Sequence, residues 1–417
     1  MNIVSPLAKY FTSIKSGRWL RLMLLPLIAV ALAACGFDEE EELPGPGPER
    51  PKPRETVGRA VLVYMVANNS LGSSYLDDGE RGFDTADLRE MQLAARQGAL
   101  GSNRLIVYRH AYRTDPVLLE VTPDSLREIK TYDTSEYSVQ ASRMRRVIAD
   151  FKAEAPAWHY GLVLWSHGSG WEQTGMAEEE VRRSPLRSFG ADGSRQMNVT
   201  TLARVLEGEK FDYIYFDCCH MAGVEVAYEL RHATDKIVGS VTELPLDGMP
   251  YDRTLPYLMT DGADLAGAAA ATFGYYDSLT GAARTCTMSV TDTSKLDALA
   301  EAVGELYSRH PALPDGYQPQ KFIYSNCTYF DLDHYLEALA GEDAELLPLL
   351  YKVREAIADA VLYNAHTPYI WESSSFEVEI KNCCGLSTFI LRDASAASTK
   401  GYSDLQWYRD VASRLFE

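Results

Sequence analysis

The sequence lacks several features on which whole classes of protein depend. Its 417 residues contain 40 Lys and Arg against 59 Asp and Glu, for a net charge of −19. This acidic balance argues against binding to nucleic acid, because phosphate binding requires a basic surface, and we expect no nucleic acid partner. No internal repeat is visible. Hydrophobic residues make up 46% of the chain, which is ordinary for a globular protein, so we expect a buried core.

The seven cysteines form no recognisable framework of disulfides or zinc ligands. Four of them make two adjacent pairs, Cys218 with Cys219 and Cys383 with Cys384. Neighbouring cysteines seldom bond to each other, and their spacing matches no zinc site. We therefore expect most of these cysteines to be buried thiols.

One long apolar run stands near the N-terminus, at residues 22–32, and four basic residues precede it. The run is too short to span a bilayer comfortably and is typical of an export signal. It ends in Leu32-Ala33-Ala34-Cys35, which resembles the lipobox of bacterial lipoproteins. The alternative is an ordinary signal peptide that happens to end near a cysteine. We expect residues 1–35 to be a lipoprotein signal peptide and Cys35 to carry the lipid.

Residues 36–58 have the composition of a tether. An acidic run at residues 38–42 precedes a stretch rich in Pro and Gly, which cannot pack and acts as an extended spacer. Gly36 after the cysteine resembles the sorting code for the outer membrane. The acidic run resembles the surface-export signal of some gut anaerobes' lipoproteins. These features predict a protein anchored to the bacterial outer membrane through its lipid, with exposure at the cell surface as a further expectation.

From residue 59 onward, short apolar runs alternate with longer amphipathic segments. We expect strands at residues 60–66, 104–109, 160–165, 211–216 and 237–240. Intervening helices are expected at residues 84–100, 141–154 and 200–206, with another beginning at residue 224. The alternation predicts a mainly parallel sheet covered on both faces. Residues 117–121 and 128–132 look like a surface hairpin.

After about residue 252 the pattern becomes helical, and it returns to strand at residues 376–380 and 386–391. No linker-like composition separates this part from the rest. We therefore expect residues 59–417 to form one domain whose C-terminal part is a helical elaboration.

Two of the predicted strands end in residues that can carry chemistry. The run at residues 160–165 is followed by Ser166, His167 and Gly168, and the run at 211–216 by Asp217, Cys218 and Cys219. In an open parallel sheet the crevice lies at the carboxyl ends of the strands. A thiol and an imidazole in one crevice could share a proton, as cysteine catalysis requires. The alternative is a structural histidine and a cysteine that packs as a small hydrophobe.

The same residues resemble the motifs of a known family. The chain has WSHGSGW at residues 165–171 and FDCCHMAGVE at residues 216–225, preceded by YMVANNSL at residues 64–71. These resemble the patterns W-x-H-G-x-G-W, F-D-x-C-x-M-x-x-x-E and Y-M-x-A-x-N-x-L of the clostripain family of cysteine peptidases. That family is related in fold to caspases, gingipains and legumains. The resemblance implies a caspase-like α/β/α sandwich.

The resemblance also implies roles for individual residues. It makes Cys219 the nucleophile, His167 its base, and the backbone amides of Gly168 and Cys219 the oxyanion hole. The family usually has Ala where this chain has Cys218, so spacing alone leaves Cys218 open as the nucleophile. The implied function is a cysteine endopeptidase. The alternative is a surface lipoprotein that binds a partner on an inactive peptidase fold, and the retention of both His167 and Cys219 favours the enzyme.

Substrate preference and maturation are further implications of the resemblance. The family cleaves after Arg or Lys, and a carboxylate pairs with that cation. Asp217 matches the family's pocket aspartate, with a helix N-cap as its alternative role, and Asp247 is a second candidate. Protein or peptide substrates with Arg or Lys are therefore expected. Members of the family cut themselves between the two motifs, and calcium commonly supports their activity. No calcium ligand can be assigned from the sequence, but the intervening polar segment offers three basic cleavage sites, Arg182, Arg183 and Arg187.

Overall fold

The structure is a computed structural model, and it describes residues 55–76, 78–171, 188–314, 316–322, 329–373, 376–391 and 401–417. Four predictions from the sequence lie wholly or mainly outside these ranges: the signal peptide, the lipid anchor at Cys35, the tether at residues 36–58, and the self-cleavage sites Arg182, Arg183 and Arg187. Within the described ranges, no helix is long and apolar enough to cross a membrane.

The described residues form fifteen strands. In chain order they are β1 (Val57–Val66), β2 (Arg104–His110), β3 (Val117–Val121), β4 (Leu126–Thr131), β5 (Ala157–Trp165), β6 (Phe189–Asp192), β7 (Arg195–Met197), β8 (Phe211–Asp217), β9 (Thr234–Gly239), β10 (Thr287–Asp292), β11 (Phe330–Asp331), β12 (Val361–His366), β13 (Tyr369–Ser373), β14 (Phe376–Glu379) and β15 (Ser387–Thr388). Nine of them form one sheet in the order β12-β10-β9-β8-β5-β1-β2-β3-β4, and the remaining strands pair as β6-β7, β11-β15 and β13-β14.

The centre of the large sheet is parallel, and its edges are antiparallel. Strands β9, β8, β5, β1 and β2 run parallel to one another. These are the five apolar runs identified in the sequence, and their continuous hydrophobicity fits strands buried on both faces. The segments predicted as a surface hairpin are β3 and β4. They pair with each other and extend the main sheet antiparallel to β2.

Helices cover both faces of the sheet. They are α1 (Ser70–Ser73), α2 (Phe83–Arg96), α3 (Ala141–Glu154), α4 (Val199–Leu206), α5 (Val224–Leu230), α6 (Tyr251–Leu258), α7 (Leu265–Asp277), α8 (Leu296–Tyr307), α9 (Leu332–Ala340), α10 (Leu347–Ala360) and α11 (Gln406–Asp410), with short 3-10 turns at Gly281–Ala283, Thr293–Lys295, Tyr402–Asp404 and Ala412–Leu415.

Alternation along β1 divides the core into two halves. Leu62 and Tyr64 face a core that includes the apolar sides of α3, α4 and α5. Val61 and Val63 face the opposite core, which includes α2, α6 and α7. This arrangement confirms the predicted α/β/α sandwich with a mainly parallel sheet.

The part of the chain after residue 252 joins the same sheet. Strand β10 pairs antiparallel with β9, and β12 pairs antiparallel with β10. The chain from Pro53 to Glu417 accordingly forms one compact unit. The expected strand at residues 386–391 reduces to β15, because the backbone N–H of Phe389 donates to the Glu225 carboxylate at 2.8 Å instead of to a neighbouring strand.

Candidate active site

Strands β5 and β8 end side by side with matched register. Trp165 of β5 is paired with Asp217 of β8, and the two strands run in the same direction. His167 and Cys219 each lie two residues beyond this pair, just after the ends of β5 and β8. Neighbouring strands are about 4.8 Å apart. Both residues line one cavity of about 40 Å³. The structure therefore brings together the histidine and the cysteine that the sequence singled out.

Gly168 allows the two strand ends to approach each other. A Cβ atom on Gly168 would lie 2.7 Å from the Cys218 Cβ atom and 2.7 Å from the Cys219 carbonyl oxygen. Such distances are closer than packed atoms tolerate, so any other residue would push the histidine loop away from the cysteine loop. The backbone of Gly168 consequently lies directly against the backbone of Cys219.

The imidazole of His167 is held from a third strand end. Its Nε2 atom lies 2.7 Å from the Ser70 hydroxyl on the short helix α1, which follows β1. The carbonyl of His167 accepts a hydrogen bond from the Gly190 N–H at 2.9 Å. Ser70 could not be assigned a role from the sequence, although it is part of the YMVANNSL segment that carries the family resemblance.

The two adjacent cysteines have different surroundings. The Cys218 thiol is buried and donates to the Leu164 carbonyl at 3.0 Å. The Cys219 residue is partly exposed, and its thiol is 3.8 Å from the Leu244 carbonyl. Loss of contact with water, and next the nearby Glu243 carboxylate, raise the pKa of the Cys219 thiol to about 12. The thiol is therefore protonated in this resting arrangement.

Asp217 lines the same cavity and is buried. Its carboxylate accepts hydrogen bonds from the Met249 N–H at 2.9 Å and from the Tyr251 hydroxyl at 3.0 Å. Burial raises the pKa of Asp217 to about 7. The alternative role of Asp217 as a helix N-cap is wrong, because the next helix begins at Val224 and Gly223 occupies its N-cap position.

Two further carboxylates, Asp87 and Glu90, interact electrostatically with Asp217, and neither was identified from the sequence. Asp87 of α2 is buried and accepts a hydrogen bond from the Trp165 indole N–H at 2.5 Å. Burial, and next the charge of Asp217, raise the pKa of Asp87 well above its usual value. Glu90 lies one turn along α2 and accepts from the Tyr251 N–H at 2.9 Å. Partial burial raises the pKa of Glu90 to about 7.

Asp247, the second candidate for the substrate pocket, is an exposed residue on the segment between β9 and α6. Its neighbour Gly248 packs on Asp217, since a Cβ atom there would lie 2.8 Å from the Asp217 Oδ1 atom. Gly248 also has a φ of +63°, which favours glycine. The segment therefore places the Asp247 side chain at the surface, one residue from the wall of the cavity.

His220 follows the candidate nucleophile but takes no part in the cavity. It is buried, stacks on the Tyr329 ring at 5.1 Å, and donates from Nδ1 to the Val241 carbonyl at 3.2 Å. Burial lowers the pKa of His220 to about 4, so the ring is neutral and has a packing role.

The described ranges contain no cluster of side chains typical of a metal centre. No three His, Cys, Asp or Glu side chains there converge in a way that would hold a metal ion. The calcium dependence implied by the family resemblance stays a prediction.

The chain matches the sequence model of a known protein family. Residues 63–341, more than half of the chain, match the sequence model of the clostripain family. A comparison with curated proteins found no match.

Among solved structures, the chain is similar to an inactive zymogen C11 protease from Parabacteroides distasonis, with 28% identity, a TM-score of 0.72, and coverage of 86% of this chain and 99% of the other. A secreted C11 cysteine protease from Bacteroides thetaiotaomicron is 25% identical, with a TM-score of 0.74 and the same coverage. A Bacteroides thetaiotaomicron C11 protease structure with an irreversible peptide inhibitor is 27% identical, with a TM-score of 0.70 and, again, the same coverage. On the family match and these similarities, the protein belongs to the clostripain family of cysteine peptidases.

Proposed function

We propose that this protein is an endopeptidase that cleaves peptide bonds after Arg or Lys, with Cys219 as nucleophile and His167 as its base. The observation that carries the proposal is the matched register of β5 and β8, which puts both residues two positions beyond a paired Trp165 and Asp217. One cavity then contains a thiol, an imidazole and a buried carboxylate.

The chemistry begins with a proton transfer. The Cys219 thiol, whose pKa is raised to about 12 at rest, gives its proton to the His167 imidazole when substrate enters. The thiolate then attacks the scissile carbonyl carbon, and the carbonyl electron pair moves onto oxygen. The backbone amides of Gly168 and Cys219 would donate to that oxyanion, and the contact between these two backbones supports this role.

Collapse of the tetrahedral intermediate expels the amine. The imidazolium of His167 returns its proton to the leaving nitrogen, and a thioester on Cys219 remains. Water, deprotonated by the same imidazole, hydrolyses the thioester. The Cys219 thiolate leaves as the carboxylic acid product forms, and it takes back its proton from the imidazolium of His167.

The selectivity for Arg or Lys follows from the carboxylates. Asp217 lines the cavity and interacts electrostatically with Asp87 and Glu90, and Asp247 lies at the surface nearby. Burial makes an unpaired negative charge unfavourable there, and a guanidinium or ammonium would relieve that penalty by pairing with it. A neutral side chain would leave the carboxylates unpaired or protonated.

The cellular context belongs to the same proposal. The N-terminal signal and Cys35 support an exported protein, lipid-anchored in the outer membrane and held away from it by the tether at residues 36–58. The Bacteroides thetaiotaomicron relative is a secreted protease, which is consistent with export.

The test is cleavage of fluorogenic peptides that end in Arg, Lys or a neutral residue, with and without calcium. The wild-type protein should cleave the Arg and Lys peptides only. Cys219→Ala should abolish cleavage while circular dichroism shows a folded protein, and Cys218→Ala should keep most of the activity, because the Cys218 thiol is bound to the Leu164 carbonyl.

Two outcomes would contradict this assignment. Loss of activity in Cys218→Ala with retention in Cys219→Ala would exchange the two cysteines. A folded wild-type protein that binds but never cleaves Arg and Lys peptides, even after its polar segment is nicked with trypsin, would favour the binding module on an inactive peptidase fold.

A further inference from the structure

The ring of His167 has two nitrogen atoms, and the structure shows what one of them contacts. Nε2 lies 2.7 Å from the Ser70 hydroxyl, a distance typical of a good hydrogen bond. Ser70 belongs to neither strand that carries the dyad, since it follows β1. We propose that Ser70 is the positioning residue of the dyad: it holds the Nε2 atom of His167 and so makes Nδ1 the nitrogen that takes the proton from Cys219. This inference rests on the function proposed above.

Ser70 is itself held in place by the residue before it. The Asn69 side chain accepts from the Leu71 N–H at 2.8 Å and so caps the short helix α1. Its amide group donates to the Val66 carbonyl at 2.9 Å and to the Ala191 carbonyl at 2.7 Å. These bonds tie the turn that bears Ser70 to the ends of β1 and β6, so the backbone that carries the exposed Ser70 hydroxyl has a defined position.

The backbone of the same region fixes the other side of the histidine. The His167 carbonyl accepts from the Gly190 N–H at 2.9 Å, and the Ala191 N–H donates to the Ser166 hydroxyl at 3.0 Å. That hydroxyl in turn donates to the Val66 carbonyl at 2.8 Å. The Ser70 turn and the histidine loop are therefore bound to the same two strands and cannot move apart independently.

A hydroxyl can accept or donate, and the inference assigns the Ser70 hydroxyl as the acceptor, which selects one tautomer of His167. When the Ser70 oxygen accepts from Nε2–H, the neutral ring keeps its free electron pair on Nδ1, which is then the base. The proton of the Cys219 thiol moves to Nδ1, and its electron pair stays on sulfur. The resulting imidazolium carries N–H groups on both nitrogens, and the Nε2–H continues to donate to Ser70. That bond becomes charge-assisted and stronger, which stabilises the ion pair.

The experiment compares three variants with the wild-type protein. Ser70→Ala removes the hydroxyl but keeps the Ser70 carbonyl, which accepts from the Ser74 N–H at 3.0 Å. Ser70→Thr keeps a hydroxyl at the same position. Ser73→Ala removes a neighbouring hydroxyl on the same helix, one that bonds to the Ser70 carbonyl at 3.3 Å, and serves as the matched control.

Two readouts are needed for each variant. The first is kcat and KM on the Arg peptide across a range of pH. The second is the rate at which iodoacetamide alkylates Cys219, followed by peptide mapping across the same pH range. The alkylation rate reports the thiolate directly and requires no turnover, so it tests the inference even in a protein that cleaves nothing.

Ser70→Ala should lower kcat about tenfold or more with KM little changed, since a hydrogen bond to a charged group is lost. It should also slow alkylation of Cys219 at neutral pH and shift the profile towards higher pH. Ser70→Thr should keep most of the wild-type kcat and most of the wild-type alkylation rate. Ser73→Ala should match the wild-type protein in both measurements.

Several results would overturn the inference. Wild-type kinetics and alkylation in Ser70→Ala would remove Ser70 from the dyad and would leave the peptidase proposal intact, provided that Cys219→Ala is inactive. Equal losses in Ser70→Ala and Ser73→Ala would indicate a structural effect of the helix. An active Cys219→Ala combined with an inactive Ser70→Ala would make Ser70 itself the nucleophile, and both proposals would then fail.

Discussion

Replacing Asp217 with Asn tests the charge in the substrate pocket while keeping the pocket's shape. The amide oxygen of Asn can still accept the hydrogen bond from the Met249 N–H, and the Tyr251 hydroxyl can reverse its role to accept from the amide NH₂. The substitution is therefore nearly isosteric, and both partners keep a bond. Its main consequence is that a substrate cation loses its counter-charge.

The size of the effect follows from the surroundings. Removing one partner of a buried charged pair weakens binding by about 2–5 kcal/mol. Asp87 and Glu90 remain in the variant and keep part of the attraction. We therefore expect Asp217→Asn to lose about 3 kcal/mol of binding free energy for the transition state. This loss lowers kcat/KM on an Arg peptide about 100-fold.

Asp217→Asn should weaken cleavage after Arg but should make the folded protein more stable relative to wild type as the pH rises. The folded pKa of Asp217 is raised to about 7, above the value of about 3.9 in an unfolded chain. Between these values the folded state binds more protons, so the stability contributed by this group is present at low pH and is lost as pH rises through 7. The Asn variant does not titrate. The Tm of the variant relative to wild type should therefore rise between pH 5 and pH 8.

The assay compares peptides with Arg or citrulline before the scissile bond, because citrulline has nearly the same shape without the charge. Asp217→Asn should collapse the preference for Arg over citrulline. Asp235→Asn, an exposed aspartate at the other end of β9, is the control and should change nothing. Equal loss on both peptides, or a lower Tm for the variant at pH 8, would refute the reasoning.

Three further predictions concern the Cys219 thiol, the Asn69 side chain and maturation of the chain. Glu243→Gln should lower the pKa of the Cys219 thiol, because that carboxylate helps to raise it, and alkylation of Cys219 at pH 8 should then be faster; an unchanged rate would contradict the electrostatic argument. Asn69→Ala should lower the free energy of unfolding in urea by about 2 kcal/mol, because a helix cap and two hydrogen bonds donated by the Asn69 side-chain amide are lost. A decrease below about 0.5 kcal/mol would contradict this prediction. Wild-type protein at neutral pH should cut itself, with termini found by mass spectrometry, and an active chain that stays intact would refute this; the predicted sites are Arg182, Arg183 and Arg187.

The central strands could be predicted from sequence because they are continuous apolar runs, as in β1 and β5. The strands β3 and β4 at one edge could also be predicted, as a hairpin, but β10 and β12 at the other edge could not. Strand β12, VLYNAH, alternates between exposed and partly buried positions and directly follows a helix, so its pattern merges with that helix. Strand β10, TMSVTD, contains more hydroxyl and acidic side chains than apolar ones, and its burial becomes apparent only when its neighbours in the sheet are known.

The residues of the candidate site also differ in whether the sequence alone could identify them. His167 and Cys219 stand in local motifs, each directly after an apolar run, so the sequence could identify them. Ser70 and Asp87 contact the site from segments about 100 residues or more away from Cys219 along the chain. Their proximity depends on β1 lying next to β5, and strand order cannot be read from the order of strands in the sequence. Glu90 was missed for the same reason.

The most direct test of the account is the identity of the atom that a substrate-like electrophile modifies. Wild-type protein would be treated with an irreversible peptide inhibitor that ends in Arg, digested, and mapped by mass spectrometry. The account predicts one equivalent of inhibitor, attached to Cys219, and much slower labelling in His167→Ala. Attachment to Cys218 or to Ser70, or equally fast labelling without His167, would contradict it.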